Sequence, residues 1–484
     1  MSTESSQCCV SQGIVHATPK DAIKNGQRET VLFMTCPNYD IPLPSLTMKM
    51  PVNMQPKKPD ALISVDVDPT SPTYCQFLDQ INMPKMGDEI HHTGWNACAG
   101  CFGKPGMCRR YLVCPTLMTS RVYIIDTQDP KNLKLHKIVK RKDLELLNAT
   151  FLHTTHCLPN GSIMISALGD NNGDNLGSFI ELNQDFEVMG KWNSEQMNTK
   201  FGYAFWYQPR LNVMVSTGWG SPNAVKHGFK MEHVEKGLYG NTVYIWNYAA
   251  RTITQSIELE GEQGLMPFEI RFLHEPTEPH AYLGTAHGSS LYHLHKEAED
   301  SKEWKCDMVE SIPKRKVSGW ILDEMPGLLT DNIISMDDRS IHVRFTLATR
   351  RSASIQHRGS KQAKVSRKSC DRRTFAQPKQ DQSGRPGLFI KGKTIHGGPH
   401  ALQLSLDGKR LYTTTALNTP WDEQFYPQMV KEGASVLLIH VDTENGGLRL
   451  DTDFLIDLGK APGGTYGVHQ VRYPGGDCTS DIWI

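Results

Sequence analysis

The chain has 484 residues, of which 38% are hydrophobic, 21% charged and 8% aromatic. A chain of this length and balance can bury a sizeable core, which indicates a soluble globular protein. Lys and Arg together number 52, as do Asp and Glu, and this neutrality argues against a nucleic-acid binder that acts by neutralising phosphates. The sequence has no run of roughly 18 to 20 apolar residues that could span a membrane, and its first residues lack the order of a secretory signal.

Two segments near the start of the chain lack a strand pattern. We expect residues 1–30 to form a flexible tail that contains one short helix at PKDAIKNG. Residues 37–58 contain five prolines, and proline lacks the backbone N–H that a strand needs, so this segment predicts an extended insertion. No Gly-Ser linker divides residues 31–484, and we therefore expect these residues to form a single domain.

A strand-like unit recurs along the chain: an apolar, β-branched or aromatic run followed by a polar turn. The clearest copies begin at Leu62, Val122, Phe179, Val243, Leu291 and Val436. The first five starts are 48 to 64 residues apart, and the last gap of 145 residues has room for one more copy near residue 350. Six copies and one missing copy predict an all-β, seven-bladed β-propeller. A set of unrelated β-sandwich domains is the alternative that the periodicity leaves open.

A second internal similarity supports the repeats. ISMDDRSIHV (334–343) and LSLDGKRLYT (404–413) align without gaps, and each places an Asp-led turn between two short strands. Helix patterns are few, and YPQMVKEGA (426–434) predicts one short helix.

The missing copy falls in a basic stretch. Between residues 344 and 385 there are twelve Lys and Arg residues but only two Asp residues, and the strand pattern is absent. We therefore expect one blade, around 344–387, to be aberrant or poorly ordered. Within it, KVSRKSCDRR has the composition of a solvated segment, with a basic interaction or nuclear-import patch as the alternative.

Histidine is the most informative residue type, with 19 copies. Neutral imidazole is a good ligand for copper, zinc or iron, and clustered histidines therefore suggest a metal site. The clusters are His91 with His92, His153 with His156, His293 with His295, His396 with His400, and His469 near the end. The inner strand ends of a propeller can bring such residues from distant blades to one point on its axis.

Strand geometry limits which histidines can meet. Neighbouring side chains on a strand point to opposite faces, as do side chains three residues apart. His91 and His92 can therefore share an ion only where the backbone is irregular, and we expect one of His153 and His156 to point elsewhere.

The twelve cysteines are expected to be reduced thiols, because the chain reads as intracellular and their spacing is irregular. Cys98 and Cys101, followed by Cys108 and Cys114, could form a zinc site. Cys108 and Cys114 do not repeat the tight spacing of the first pair, so ordinary buried thiols are the interpretation we favour. The sequence contains no phosphate-binding G-x-x-x-x-G-K-[ST] loop, no G-x-S-x-G elbow and no H-E-x-x-H motif.

Several segments carry a family resemblance. They include SVDVDPTSPTYCQ (64–76), DEIHHTGWNACAGCFG (88–103), FLHTTHCL (151–158), PFEIRFLH (267–274) and RYPGGDCTSDIWI (472–484). In these segments the chain resembles the selenium-binding protein family, whose catalytic members are methanethiol oxidases. The resemblance extends over most of residues 60–343 and 388–484.

The resemblance implies a seven-bladed propeller with a copper centre. Its reaction converts methanethiol, dioxygen and water into formaldehyde, hydrogen sulfide and hydrogen peroxide. The candidate catalytic residues are His91, His92, His156 and His469, and the candidate metal ligands are the same four together with His153. The resemblance also implies a selenium-carrying cysteine in the SPTYCQ motif, which is Cys75, although a small buried thiol is the simpler interpretation of Cys75 alone.

A non-catalytic alternative stays open. The family also implies a cytosolic location with nuclear and peripheral-membrane pools, and a role in intra-Golgi protein transport. Under this hypothesis the chain would bind selenium at Cys75 and bind protein partners on its propeller faces. The oxidase hypothesis instead requires a small thiol substrate and dioxygen as partners.

One segment departs from the family. Family members continue the Asp-Asp-Arg turn (337–339) with a strand and an Asn-Trp-Leu-His-Gly-Asp motif, whereas this chain reads VRFTLATRRSASIQHRG, and the family pattern returns near Leu388. The abrupt change resembles translation in a shifted frame. If the chain functions as written, we expect reduced or absent oxidase activity.

Overall fold

The computed structural model describes residues 15–39, 58–194, 197–298, 300–316, 323–345, 352–358, 362–364 and 388–484. The helices in these ranges are short: α1 (Pro19–Asn25), α2 (Arg141–Glu145), α3 (Pro222–Val225), α4 (Met231–Glu235), α5 (Thr419–Phe425) and α6 (Pro427–Glu432). The strands, in chain order, are β1 (Val31–Cys36), β2 (Ala61–Asp66), β3 (Phe77–Asn82), β4 (Gly94–Trp95), β5 (Tyr111–Pro115), β6 (Val122–Asp126), β7 (Lys134–Val139), β8 (Thr150–Cys157), β9 (Ile163–Gly169), β10 (Asn175–Leu182), β11 (Val188–Lys191), β12 (Phe205–Gln208), β13 (Val213–Thr217), β14 (Thr242–Asn247), β15 (Thr252–Glu258), β16 (Pro267–Phe272), β17 (His280–Thr285), β18 (Ser290–His295), β19 (Lys305–Ser311), β20 (Arg315–Lys316), β21 (Glu324–Met325), β22 (Leu329–Ile334), β23 (Ser340–Phe345), β24 (Ser352–Arg358), β25 (Gln362–Lys364), β26 (Phe389–Ile390), β27 (Lys393–Thr394), β28 (Leu402–Leu404), β29 (Arg410–Thr414), β30 (Ser435–Val441), β31 (Leu448–Leu450), β32 (Ile456–Asp457) and β33 (Val471–Arg472).

Antiparallel pairing joins these strands into sheets that follow one another along the chain. Six sheets have four strands: β4–β7, β8–β11, β12–β15, β16–β19, β22–β25, and β1–β3 together with β33. A further sheet, β28–β32, has five strands, because β30 pairs with β32 as well as with β31. Two short pairs, β20 with β21 and β26 with β27, complete the described strands.

The first strands of successive sheets pack beside one another, as the inner strands of a propeller do. β12 contacts β16, β16 contacts β22, and β22 contacts β28, which in turn contacts β33. β33 comes from the C-terminal end of the chain and pairs with β1 from the N-terminal end. The two ends of the chain therefore share one sheet, and this sheet closes the ring.

The predicted all-β propeller is confirmed, and the sequence repeats have a structural meaning. Each of the six copies is the third strand of its sheet, counted from the inside: β2, β6, β10, β14, β18 and β30. The missing copy falls near residue 350, where β24 occupies the same third position. Each recurring apolar run therefore forms the third strand of its sheet, which pairs with the second strand on one side and with the fourth on the other.

The predicted number of blades is wrong. The sequence predicts seven blades with the aberrant one around 344–387, whereas the structure has six four-stranded blades and a five-stranded sheet at β28–β32. Backbone pairing extends into the basic stretch, because β23 pairs with β24 and β24 pairs with β25. Hydrogen bonds between strands join backbone groups, so pairing there does not need the apolar alternation that the sequence lacks. The rest of 344–387 lies outside the described residues, as do residues 1–14 of the predicted tail and 40–57 of the predicted insertion.

The two aligned turns have the same hydrogen bonds. Ser335 Oγ donates to Asp337 Oδ1 at 2.6 Å between β22 and β23, and Ser405 Oγ donates to Asp407 Oδ1 at 2.6 Å between β28 and β29. Each serine oxygen also accepts a backbone N–H at 3.0 Å. The prediction of equivalent Asp-led turns is confirmed, and the two predicted short helices are present as α1 and α6.

Apolar residues fill the space between the sheets. Every residue of β9 and of β13 is buried, as expected for strands that pack on both faces. Some first strands also carry buried polar residues, among them His153 on β8, Glu269 on β16 and Asp331 on β22. None of the helices in the described ranges has the length and apolar character of a membrane span.

Candidate metal centre

Five buried histidines meet where the first strands of the sheets converge. Each lies on a first strand or just before it: His91 and His92 (β4), His153 (β8), His400 (β28) and His469 (β33). The ring centroids of His91 and His469 are 3.3 Å apart, and those of His92 and His153 are 4.1 Å apart. The ring of His400 adjoins them, 4.5 Å from His469. We call these five residues the histidine centre.

The centre offers the ligand atoms that a metal ion needs. One ring nitrogen from each of His91, His92 and His153 lies within 4.8 Å of the other two. In the described part of the chain, five buried ring nitrogens of the centre have no hydrogen-bond partner: His91 Nδ1, His92 Nε2, His153 Nε2, His400 Nδ1 and His469 Nε2. An unsatisfied buried polar atom costs about 1–3 kcal/mol, and a coordinated metal would remove that cost. The residues therefore fit a metal centre.

The backbone around His91 and His92 is irregular, as the sequence predicts for two adjacent ligands. Ile90 forms an isolated bridge with Thr116, and β4 begins only after the two histidines. Glu89 adopts a positive φ of 54°, which turns the chain just before the pair. Thr35 Oγ1 donates to the His91 carbonyl at 3.1 Å and holds this segment against β1.

A bulge in β8 separates His153 from His156. The register between β8 and β9 shifts between Leu152 and Thr155. His153 faces the centre, whereas the ring of His156 packs edge-on against Phe205 and Trp206, with centroids 5.1 and 5.0 Å away. The structure therefore brings one of these two predicted ligands to the centre and leaves the other between aromatic rings, as strand geometry predicts.

Hydrogen bonds orient the rings of His469 and His92. His469 Nδ1 donates to the Leu417 carbonyl at 2.5 Å, so Nε2 is the nitrogen that carries the lone pair. Gln470 Oε1 accepts the backbone N–H of Thr93 at 2.9 Å, and its Nε2 faces His92 Nδ1 at 3.2 Å. Such outer contacts fix the orientation of metal-binding imidazoles.

Burial keeps the imidazoles neutral. Desolvation, with a smaller contribution from neighbouring histidines, lowers the pKa of His91, His92 and His400 well below the usual value. It also lowers the pKa of His153, and it lowers that of His469 to about 3. A neutral imidazole has a free lone pair, so all five rings are in the form that binds metals.

A buried ionic group adjoins the centre on the first strands β16 and β22. Glu269 Oε1 lies 3.6 Å from His92 Nε2, while Glu269 Oε2 accepts from Arg271 at 2.6 Å. Asp331 Oδ1 lies 3.7 Å from Arg271, and burial raises the pKa of Asp331 to about 7. Arg271 thus links two acidic side chains, one of which faces the histidine centre.

An aromatic cleft lies one ring away from the centre. The ring of Tyr203 is tilted against that of His153, with centroids 4.1 Å apart, and stacks on Phe268 with centroids 4.6 Å apart. Phe268 is part of the wall of an open cleft. The other residues of the wall are largely apolar and include Trp219, Phe229, Tyr239, Met266, Leu417 and Trp421. Leu417 also accepts the hydrogen bond of His469, so the cleft and the centre share a residue.

Cys75 lies elsewhere, on the loop between β2 and β3. It has a positive φ of 65°, its backbone N–H donates to Asp66 O at 2.8 Å, and its side chain is partly exposed. Burial of part of the side chain raises the pKa of its thiol, and a hydrogen bond with the Leu455 backbone opposes this.

The structure does not gather the four cysteines of the possible zinc site. Cys98 and Cys101 pack together with Cys157 from β8, and hydrogen bonds from Cys157 and Cys98 lower the pKa of Cys101. Cys114 instead lies on β5 in a different apolar cluster. The zinc interpretation is therefore wrong for this set of four.

Sequence reasoning did not assign three residues that adjoin the site: His400, Glu269 and Tyr203. In the sequence, His400 stands out only because it lies four residues after His396, and Glu269 only because it belongs to the family segment PFEIRFLH. Each of the three lies on or just before a first strand. That position is the signal that could have found them, because every first strand leads to the axis.

The fold and the centre define a β-propeller protein whose axis holds a buried group of histidines. The chain belongs to the selenium-binding protein family, because the family described as 56kDa selenium binding protein (SBP56) matches residues 10–484. It is 41% identical to a methanethiol oxidase of Mus musculus, covering 98% of this chain and 99% of that protein. It is also 41% identical to selenium-binding protein 2 of Mus musculus, with the same coverage.

A solved structure shares the fold. The hypothetical selenium-binding protein from Sulfolobus tokodaii aligns with a TM-score of 0.81 and 28% sequence identity. The alignment covers 97% of this chain and 98% of the other. The propeller framework is therefore common to both chains.

Proposed function

We propose that this chain is a methanethiol oxidase, an oxidoreductase that converts methanethiol, dioxygen and water into formaldehyde, hydrogen sulfide and hydrogen peroxide. The observation that carries the proposal is the histidine centre, with its five unsatisfied ring nitrogens. The relatives named methanethiol oxidase, which align over almost the whole chain, support the choice of reaction.

We propose copper as the metal, with His91, His92, His153 and His469 as the ligands. Imidazole nitrogen suits copper, and it lets the metal exist as Cu(I) or Cu(II). When bound, copper would take up the thiolate, lower the pKa of the thiol and exchange electrons with dioxygen.

The residues of the chain supply position and environment. The Leu417 carbonyl fixes the tautomer of His469, and Gln470 together with Glu269 orients His92. Burial excludes water from the centre and keeps the imidazoles neutral.

The aromatic cleft suits a small apolar thiol. Its wall is formed mainly by apolar and aromatic side chains, with Asn418 as a polar one, and transfer of a methyl group from water to such a surface is favourable. We propose that methanethiol enters through this cleft and that Tyr203 separates the cleft from the histidine centre.

Metal analysis of the purified protein, combined with assays of sulfide and peroxide release, tests the proposal. We expect about one copper ion per chain and turnover of methanethiol. His153→Ala should lose both copper and activity. The matched control is His396→Ala, since His396 lies outside the centre and pairs with Glu432 at 3.3 Å.

The rate of methanethiol turnover tests whether the altered segment, 344–387, affects the reaction. A rate equal to that of intact family members would show that 344–387 does not limit the reaction, and a lower rate is expected if the changed blade affects the site. Absence of copper from the wild-type protein after loading would contradict the proposal.

A second candidate function is non-catalytic selenium binding in intracellular, intra-Golgi protein transport. The partly exposed thiol of Cys75 favours it, and it would place the chain in the cytosol with nuclear and peripheral-membrane pools and with protein partners on the propeller faces. Under this function Cys75→Ser abolishes selenium retention, while removal of metal changes nothing. Cys306→Ser is the matched control, because Cys306 is also a partly buried free thiol.

A further inference from the structure

A second group of histidines lies on the sheet β16–β19, outside the histidine centre. His280 on β17 is the cross-strand partner of His295 on β18. His293, two residues before His295, is the partner of Asp307 on β19. Cross-strand partners and residues two apart share a face of a sheet, so all four side chains lie on one face.

The rings of the three histidines form a stack along that face. His280 Nδ1 and His293 Nε2 are 3.0 Å apart, and the two rings are inclined by only 22°. The ring of His293 is also stacked on His295 with centroids 4.7 Å apart, and it is stacked on Tyr282 at 4.6 Å. Packing against these neighbours holds the first two imidazoles with their nitrogens facing each other.

The separation of the two nitrogens suits a shared metal ion. Zinc binds histidine nitrogen at about 2.0–2.1 Å, and tetrahedral geometry then places two such nitrogens about 3.3 Å apart. The observed 3.0 Å is close to this value. A hydrogen bond between two imidazoles needs an unprotonated nitrogen, so at least one of these rings already presents a lone pair.

Carboxylates stand on both sides of the stack. His295 Nε2 and Asp307 Oδ2 are 2.8 Å apart, and Glu278 Oε2 lies 3.8 Å from His280 Nε2. The side chain of Asp307 is 67% exposed and can turn towards His293, its cross-strand partner. The carboxylates also lower the cost of placing a cation at this position.

We propose that His280, His293 and Asp307 form a second metal site for a divalent transition ion such as Zn²⁺. His280 binds through Nδ1 and His293 through Nε2, Asp307 supplies an oxygen, and water completes the tetrahedron. His295 is a positioning residue that holds Asp307. The ion would join three strands of one blade, so the site is separate from the thiol chemistry at the axis.

Zn²⁺ titration of the full-length protein against a chromophoric chelator tests this proposal. The wild-type protein is expected to bind one equivalent more than either His280→Asn or His293→Asn. Zn²⁺ bound at the histidine centre is common to all the proteins, so the difference reports the second site alone. Zn²⁺ should also raise the melting temperature of the wild-type protein more than that of the variants.

His440→Asn is the matched control. His440 also pairs with a carboxylate, Asp451, at 2.8 Å, but its cross-strand partners are Arg410 and Arg449. We expect His440→Asn to bind as many equivalents of Zn²⁺ as the wild-type protein does. Equal Zn²⁺ stoichiometry in the wild type and in both folded variants would overturn the proposal, and so would an equal loss in the control.

Discussion

The imidazoles of the histidine centre are neutral because they are buried, and neutrality makes them ligands. Their unsatisfied nitrogens belong to residues on, or just before, the first strands of different sheets. Single contacts, such as the one between His469 and the Leu417 carbonyl, decide which nitrogen of each ring is available. At the scale of residues, the site therefore depends on burial and on the groups that orient each ring.

Acid should destabilise the metal-free protein through His469. The pKa of His469 is about 3 in the folded protein and near 6.5 in an unfolded chain. Between these values the unfolded state binds more protons, so the stabilising effect of the neutral ring is complete above pH 6.5 and is lost as the pH falls towards 3. Denaturant unfolding of the wild type and of His469→Asn at several pH values checks this. The wild type should lose more stability on acidification, and identical slopes would contradict the assignment.

Asp422 should control the affinity for copper without touching the metal. Its two oxygens accept the Leu417 N–H at 3.1 Å, and one also accepts the Tyr39 hydroxyl at 2.6 Å. Asp422→Ala frees the Leu417 segment that orients His469, and we expect copper affinity to fall by about 10–100-fold, as for other outer contacts of metal ligands. Copper titration followed by circular dichroism measures both affinity and folding. Glu423→Ala, next to it on α5, should bind copper as the wild type does.

At the scale of elements, the site depends on how closely the first strands approach one another. Gly94 is the first residue of β4 and lies two residues after His92, and a Cβ atom there would lie 2.5 Å from the Thr155 carbonyl oxygen of β8. The bulge of β8 lies at the same level, between Leu152 and Thr155. These two features allow the ring centroids of His92 and His153 to lie 4.1 Å apart.

Gly94→Ala should separate β4 from β8 and weaken the metal site. We expect a loss of stability of about 1–3 kcal/mol, typical of an overpacked interior, together with weaker copper binding. Chemical denaturation and copper titration measure the two effects. Gly475→Ala is the control, because a Cβ atom at Gly475 meets nothing within 4 Å. Unchanged copper affinity in Gly94→Ala would show that the close approach is not required.

Much of this arrangement could be predicted from the sequence, since periodic apolar runs mark the third strand of each sheet. The irregular backbone at His91 and His92 and the divergence of His153 and His156 also followed from strand geometry. The five-stranded sheet could not be predicted, because β32 is only two residues long. The assignment of His400 also needed the folded ring, because no local pattern distinguishes it from the histidines that pair with surface carboxylates.

At the scale of the whole molecule, the ring brings residues 91 and 469 together although they lie at opposite ends of the chain. The pairing of β33 with β1 makes this possible. The C-terminal segment adds further contacts, including the buried ion pair between Asp481 and Arg109. The strand pairing that closes the ring is therefore also the pairing that places His469 beside His91.

Removal of residues 471–484 should abolish cooperative folding. The truncation takes away β33 and the buried partner of Arg109, and it exposes the edge of β1. Thermal unfolding followed by circular dichroism should show no sharp transition. Deletion of Ile484 alone, which is partly exposed, serves as the control and should leave the transition in place. A stable, copper-binding truncated protein would show that closure is not needed.

We propose that imidazoles from distant parts of the chain hold one copper ion at the axis of the propeller. X-ray absorption spectroscopy of the copper-loaded protein measures the copper ligands directly. We predict a shell of nitrogen ligands with the multiple-scattering signature of imidazole, which His153→Ala diminishes and His156→Ala leaves unchanged. Sulfur ligands, as expected if Cys98, Cys101 and Cys157 bound the metal, or a spectrum that His153→Ala does not alter, would contradict the claim.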